Sequence, residues 1–384
     1  MADAAIIFES IRQIAREFAR QRRERQLRRT LDPQDFKVLR EAGFLLTGVP
    51  AERGGLWIDL ARSTRPIAEI LRVLARGDSS IALVSSMHPA VHSFWLSTPR
   101  VPAPYIDGWA AQREEIAASA LAGGWWGTIT SEPGSGGDVG RTKTVARFDE
   151  SGEWRLWGQK HFGSGSGVTS FMITIALPEG EEAPDWFYVD MRNRAWDGSA
   201  GVRLIAPWDG HGMQATQSHA MAFDGVAATR IAWPGNWKLL ADAAGPFISS
   251  IFTAVILGIV EEAVDCARKD LAPKKDSLRA YERVEWIRAE TEAWSAVQAY
   301  EGMLRAVEQE TSPLRSVLLG KTAVSENAES VLRRICRVMG GGTFARYSPY
   351  GFWFEDVRAL GFLRPPWGLA FDALYESDWP LAEK

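Results

Sequence analysis

Cysteine is nearly absent from this chain: two residues, Cys266 and Cys336, in 384. Neither belongs to a CxxC pair, no HExxH occurs, and only five histidines are available, which excludes a structural zinc or a disulfide framework as the organising device. Both cysteines fall in helical patterns and are expected to be small buried apolar residues. Charge of one sign is lacking as well. With 44 Lys plus Arg against 48 Asp plus Glu, the formal charge of −4 supplies no general attraction to nucleic acid or anionic lipid. Long hydrophobic runs are also missing. The longest, Pro246 to Val260, stops at Glu261 and Glu262; it falls short of the roughly 20 residues that cross a bilayer and is expected to be a core helix. The opening stretch, MADAAIIFESIRQIAREFARQRRER, is a basic amphipathic pattern without the apolar segment of a signal peptide. The expectation is a cytoplasmic protein with no nucleic acid or membrane partner. No internal repeat or low-complexity tract is present.

What is present is an ordinary globular composition, 46% hydrophobic and 24% charged. The 17 tryptophans are unusual and occur along the whole chain, as aromatic-rich cores and interfaces require. Periodicity divides the sequence into three domains. Residues 1–122 read as helical: Ile6, Ile7, Ile11, Ile14 and Phe18 recur at helical steps, Asp32-Pro33 opens a second helix, and Ile67, Ile70, Leu71 and Leu74 mark a third. Asp78 then caps a helix carrying Ile81, Leu83, Met87 and Val91. Across residues 123–232 the period becomes two. GEWRLWG, FMITIAL, DWFYVDM and HAMAFDGV are short, aromatic-rich and separated by turn residues, which predicts a middle β-sandwich or barrel. Residues 233–384 return to long helices. Ile248, Ile251, Phe252, Val255, Ile256 and Ile259 mark one; Val284, Ile287, Trp294, Val297 and Leu304 mark the next. A third runs from Pro313 to Met339 and stops at Gly340-Gly341-Gly342. Helices of this length bury their apolar faces as a four-helix bundle. The fold class is therefore α+β, with an N-terminal helical domain, a middle β domain and a C-terminal helical bundle.

Thr130-Ser131-Glu132-Pro133-Gly134-Ser135-Gly136-Gly137-Asp138 is a glycine-rich loop after an apolar segment, able to bring backbone N–H groups close to an anion or a flat polar ring. Its order resembles the TEPG-x-G-S-D signature of acyl-CoA dehydrogenases. Further on, Gly158-Gln159-Lys160-His161-Phe162-Gly163-Ser164-Gly165 resembles that family's G-x-K-x-W-I-T-N signature. Gly43-Phe44, Pro50, Gly54-Gly55 and Gly77-Asp78-Ser79-Ser80 are similar to its N-terminal domain. Gly212 to Ser218 with Phe223 to Val226 resemble the end of its β domain, and Met339-Gly340-Gly341 with Pro349 and Asp356 its late region. The resemblance covers nearly the whole chain. It implies an acyl-CoA dehydrogenase-like architecture, a flavin (FAD or FMN) held between β domain and bundle, and a homodimer or homotetramer. Carried over by position, it implies Thr130, Ser131 and Gly136 at the isoalloxazine, Phe162 packed on the ring, the Ser164 hydroxyl near N5, and Gly341 at the adenosine half of FAD from a neighbouring subunit. From the residues alone, Phe162 also reads as strand core and Ser164 as a turn hydroxyl.

Three departures bear on the chemistry. Where the family carries Arg-x-x-Phe-Gly, whose arginine binds FAD phosphate, this chain reads Asp270 to Asp276, and Lys274 and Lys275 cannot reproduce a bidentate guanidinium. Arg337 replaces a glutamine. Arg364, in Arg364-Pro365-Pro366-Trp367, stands where dehydrogenases place their catalytic glutamate, and the alternative position for that base falls near Ile248. Removing a weakly acidic α-proton needs a base within hydrogen-bond reach, and only Glu262, Asp372 and Glu376 offer displaced candidates. Phe162-Gly163-Ser164-Gly165 instead resembles the second signature of the superfamily's monooxygenases, of the dibenzothiophene monooxygenase and nitroso synthase types, which use reduced flavin and oxygen. His88 and His92, four apart on one helix, read either as an imidazole facing a pocket or as a packed pair.

The expectation is a flavin-dependent oxidoreductase, a monooxygenase of a small organic substrate, with Ser164, His92 and Arg364 as catalytic candidates and no metal. The flavin is expected to bind in reduced form, with a flavin reductase as partner. An acyl-CoA dehydrogenase with a displaced base and a flavin-poor binding subunit of an active paralogue are the other two readings.

Overall fold

A computed structural model describes residues 3–98 and 100–379. Asp3, Asp32, Asp59 and Asp78 each accept a hydrogen bond from the first turn of the helix that follows, which fixes where α1 (Ala4–Arg20), α3 (Pro33–Glu41), α4 (Leu60–Ala75) and α5 (Ser79–Leu96) begin. The short α2 (Arg22–Leu27) follows α1, and α6 (Ile106–Leu121) ends this helical layer. In α1 the buried face is Ile7, Ile11, Ala15 and Phe18. Ile6 faces solvent, because adjacent helical residues lie about 100° apart and Ile7 takes the inward direction.

The middle domain contains β1 (Trp126–Thr128), β2 (Val145–Phe148), β3 (Trp154–Gly163), β4 (Phe171–Pro178), β5 (Asp185–Asp190), β6 (Val202–Ala206) and β7 (His219–Arg230). β2 pairs with β3, β3 with β7, β7 with β5, β5 with β4, and β4 with β2, so the hydrogen-bonded ring closes into a small barrel. β1 joins it alongside β4 and β6 alongside β7. Leu156, Met172, Phe187, Val189, Met221 and Phe223 fill its core. Trp95, Trp109, Trp126, Trp186 and Trp233 gather in a separate cluster, with Trp126 stacked on Phe171 at 4.7 Å. Several of the tryptophans thus pack together beside the barrel.

The C-terminal region is α7 (Trp237–Leu271), α8 (Ala280–Gln309), α9 (Leu314–Met339), α10 (Pro349–Val357) and α11 (Trp367–Asp378). By length and composition α7 could cross a membrane, yet its apolar window is 83% buried inside the protein, where α4, α5, α8, α9 and α10 pack around it. Gly258 permits that closeness: a Cβ there would lie 2.1 Å from the Arg72 carbonyl of α4. Of the expected inward face of α8, Leu304 is buried and Val297 packs on the core, but the first three residues are turned outward. Val284, Ile287 and Trp294 are 50%, 58% and 64% exposed, while Glu285, Ala289, Ala296, Tyr300 and Met303 are buried. Periodicity finds an apolar stripe but not what covers it, and the small residues of α8 allow α9 to approach from the opposite side.

One buried carboxylate ties the three regions together. Asp356 of α10 accepts from Ser79 Oγ at the start of α5 (2.5 Å) and from the Met213 N–H in the segment before β7 (2.6 Å). Nearby, Asp78 both caps α5 and pairs with Arg25, which also holds Asp35. Burial pushes Asp356 up from 3.8 to about 6, partly countered by its two donors. A folded-state value above the unfolded one means that the stability contributed by this titration is full below about pH 4 and is lost as pH rises through 6. Asp356→Asn should flatten that slope in urea unfolding measured across pH 4–7. Asp356→Ala should cost about 1–3 kcal/mol at pH 4, because it leaves the buried Met213 N–H without an acceptor, and less as pH rises through 6.

Candidate active site

The two glycine-rich segments singled out in the sequence lie side by side. Isolated bridges pair Thr128 with Ser164 and Ser131 with His161, an antiparallel register in which Thr130 lies opposite Phe162. Beneath them Glu132 and Lys160 form a buried ion pair at 2.6 Å. Lys160 Nζ also donates to the Ile175 carbonyl (2.6 Å) and to Thr142 Oγ1 (3.2 Å). The Glu132 carboxylate accepts from the Lys143 N–H (2.6 Å), Thr144 Oγ1 (2.8 Å) and Thr142 Oγ1. Burial alone would raise its pKa; the Lys160 ammonium and these donors outweigh it and hold the carboxyl at about 2. The loop is thereby pinned to β3 and β4.

Arg364 reaches this loop from the segment between α10 and α11. Its Nη1 donates to the Gly137 carbonyl (2.8 Å), and its Nη2 to Thr130 Oγ1 (2.8 Å) and Ser131 Oγ (3.2 Å). Gly137, at φ +84°, lies so close to Pro366 that a Cβ would be 2.7 Å from that ring. Lys321, on α9 and 3% exposed, donates to the carbonyls on either side of Arg364, Leu363 O at 3.0 Å and Pro365 O at 2.6 Å. Among the described residues neither cation has a carboxylate in contact. Burial lowers Arg364 to about 10 and Lys321 to about 8, with Asp138 partly offsetting the former, so both remain cationic at neutral pH.

Ser164 is buried, with its Oγ 2.8 Å from Ser218 Oγ; Ser218 Oγ lies 2.8 Å from Thr216 Oγ1, which donates to the Met213 carbonyl at 2.8 Å. Gly136 has a positive φ of 65° and open space where a Cβ would stand. Phe162 is no strand-core residue: at φ +58° its ring is 56% exposed and meets Trp208 edge-on. The loop therefore brings together Thr130, Ser131, Gly136, Phe162, Ser164 and Arg364. Lys321, Ser218, Thr216 and the Glu132–Lys160 pair were not singled out, since a lone helical lysine and two β-domain hydroxyls carry no spacing signal.

His92 is not among this group. His88 Nε2 donates to the Leu45 carbonyl (3.0 Å) and its Nδ1 accepts from the Trp126 N–H (3.3 Å), an arrangement that needs a neutral ring. His92 lies beside it, 4.4 Å between centroids, against Gly48 and Trp126. Burial holds His88 at about 4 and His92 well below its usual range, so neither is a cation at neutral pH. Gly341 follows α9 in a 3-10 turn packed on α9 and α10 and makes no hydrogen bond to the loop residues. Glu262 is engaged by Arg22 and Arg76, and Asp372 and Glu376 are exposed on α11. None of the three candidate bases touches the loop. Asp270 accepts from the Tyr350 hydroxyl, Lys274 and Lys275 are exposed, and Arg337 pairs with Glu285.

Residues 127–226 match the family described as acyl-CoA dehydrogenase, middle domain. The chain is 26% identical to dibenzothiophene monooxygenase of Mycolicibacterium goodii over 62% of its own length, and that match spans 55% of the relative. It is 24% identical to amino sugar nitrososynthase DnmZ of Streptomyces peucetius, over 88% of this chain and 83% of that one. Among solved structures, KijD3 in complex with FMN and an amino-keto-sugar nucleotide superposes with a TM-score of 0.82, at 19% identity, covering 99% of this chain and 94% of that one. The fold is acyl-CoA dehydrogenase-like, and the middle β domain is similar in sequence to the middle domain of that family.

Because Glu132 is held below its unfolded value of 4.5, the stability it contributes is present above that pH and is lost as pH falls toward 2. Lys160→Met leaves a buried carboxylate alone and should cost about 3–5 kcal/mol at pH 7, with Lys160→Met/Glu132→Gln recovering much of it. Urea unfolding of the two variants at pH 7 and pH 4 checks this.

Proposed function

We propose that the protein is a flavin-dependent monooxygenase that uses reduced flavin and dioxygen on a small organic substrate, and that its centre is the Thr130–Ser164–Arg364 group. The observation that carries this reading is the Arg364 guanidinium on the Thr130 and Ser131 hydroxyls. A guanidinium stays protonated and cannot remove an α-proton, and among the described residues Glu262 is held by Arg22 and Arg76 while Asp372 and Glu376 are exposed on α11. The likeness to dibenzothiophene monooxygenase and to the nitrososynthase supports the same branch.

The residues fit a flat polar ring. Gly136 leaves open space, Phe162 offers an exposed aromatic face, and Thr130, Ser131 and Ser164 supply hydroxyls beside it. Reduced flavin, when bound, supplies the two electrons with which one oxygen atom enters the substrate and the other leaves as water. Ser164 would orient the central ring, Thr130 and Ser131 its polar edge, and Arg364 would hold those hydroxyls and lend positive charge. The C-terminal segment carrying Arg364 lies over the loop and limits water there. A flavin reductase would supply the reduced cofactor. The exposed stripe of Tyr281, Val284, Ile287 and Trp294 on α8 supports a homo-oligomer.

The Asp270–Asp276 segment offers no guanidinium for a cofactor phosphate, so the purified protein should carry less than one flavin per chain and exchange it on dialysis; a full complement surviving dialysis would count against this. Supplied with a flavin reductase, NADH and a substrate panel, the protein should consume oxygen into product, whereas acyl-CoA thioesters should not bleach bound flavin anaerobically. Rapid anaerobic bleaching by an acyl-CoA would overturn the monooxygenase assignment. Ser164→Ala should lower turnover by about two orders of magnitude with little change in melting temperature, as expected for loss of one preorganised hydrogen bond at the reacting ring.

A further inference from the structure

Among the described residues three lysine or arginine side chains are buried: Arg25, Lys160 and Lys321. Arg25 holds Asp35 and Asp78, and Lys160 holds Glu132, as charges taken out of water require. Lys321 is the exception. Two of its three hydrogens go to the Leu363 and Pro365 carbonyls, and the third has no protein acceptor among the described residues. Arg364, the residue between those carbonyls, also has no carboxylate in contact. Asp138 is near enough to favour its charged form, but that carboxylate is turned to the Gly140 N–H at 2.8 Å. With Glu132 already neutralised by Lys160, this end of the loop keeps an excess of positive charge.

The hydrogens left over around Arg364 all belong to donors. Its Nη1 gives one to the Gly137 carbonyl, and its Nη2 serves the Thr130 and Ser131 hydroxyls. The Nε–H and one Nη1 hydrogen remain without a protein acceptor among the described residues. Thr130 and Ser131 accept from Arg364 and donate to no protein group among those residues, so their hydroxyl hydrogens remain too. An oxidised flavin ring is uncharged; its polar edge can take hydrogens from the two hydroxyls without balancing the cations behind them. What balances them is an oxyanion, the partner that a guanidinium binds best.

We propose that the small organic substrate carries a carboxylate or a like oxyanion group, and that Arg364 binds it. The proposal rests on the reading of the site as a flavin monooxygenase centre and names the class of substrate that centre takes. Lys321 is a positioning residue: it holds the backbone on both sides of Arg364 and adds its own charge to the field.

The full-length protein saturated with FMN is titrated with benzoate and methanesulfonate, and with benzamide and dimethyl sulfone as neutral counterparts of similar shape. Calorimetry reads the dissociation constant and the flavin absorption band reads proximity to the ring, both without turnover. At least one anion should bind about tenfold or more tightly than its counterpart, the scale of one charge-assisted hydrogen bond, and should shift the band. Arg364→Gln should abolish that preference while FMN still binds, and Arg364→Lys should keep part of it. FMN should stay bound as the anion enters. Release of FMN by the anion would show that the cations hold the cofactor phosphate, and would overturn the proposal. Equal binding of both anions and their neutral counterparts, or undiminished anion binding by Arg364→Gln, would overturn it as well; in all these cases the flavin reading stands. If FMN binds the wild-type protein in neither redox state, the flavin reading fails and the substrate proposal falls with it.

Discussion

The ion pair between Glu132 and Lys160 is the constraint on which the site depends. A glycine-rich loop with several positive φ angles has no conformational preference that would hold it in one place. Here the carboxylate of its third residue is buried and accepts from Lys160 on β3 and from Thr142, Lys143 and Thr144 beyond the loop. That set leaves the loop one position, against the strand that ends in Phe162 and Ser164. A buried pair adds little net stability against an apolar replacement, but breaking it leaves a stranded charge, and this asymmetry enforces the geometry.

With the loop held, the rest of the chain brings the remaining groups to it. The barrel closes through β4, which carries the Ile175 carbonyl that Lys160 needs. The segment before β7 supplies Thr216 and Ser218 and also offers the Met213 N–H to Asp356, so the same turn that backs Ser164 is tied to α5 and α10. From the other side, Lys321 of α9 fixes the carbonyls flanking Arg364 and so aims its guanidinium. The middle and C-terminal regions contribute these groups, each located by a buried polar contact rather than by apolar packing alone.

The order of helices, strands and helices was legible because hydrophobic period changes from 3.6 to two and back over long stretches. Two helix starts were legible too, at Asp32 and Asp78, while Asp3 and Asp59 show as caps only through the N–H groups they accept from. The packing of α8 was not: Val284, Ile287 and Trp294 show the same spacing as a core face, and only the small residues opposite them reveal which side α9 covers. In the site, Thr130, Ser131, Ser164 and Arg364 stood out through motif order. Lys321, Thr216 and Ser218 did not, because their importance comes from which carbonyl or hydroxyl each one faces, a property of the closed barrel. His88 and His92 show the converse, since helical spacing places two imidazoles on one face but does not reveal that His88 is buried between the Leu45 carbonyl and the Trp126 N–H.

The guanidinium of Arg364, where the family resemblance implies a carboxylate, does more than leave out a base. A carboxylate in that place would accept from Thr130 and Ser131 and turn their hydrogens toward itself, leaving lone pairs for a ligand. The guanidinium does the reverse, so one substitution inverts the hydrogen-bonding polarity of two neighbouring hydroxyls that are themselves unchanged. The local field inverts as well, from negative to positive, with Lys321 adding to it and Glu132 already neutralised by Lys160. On the proposed flavin reading, the same glycine loop would favour an electron-rich ring over proton abstraction, through the orientation of hydrogens rather than any change in backbone.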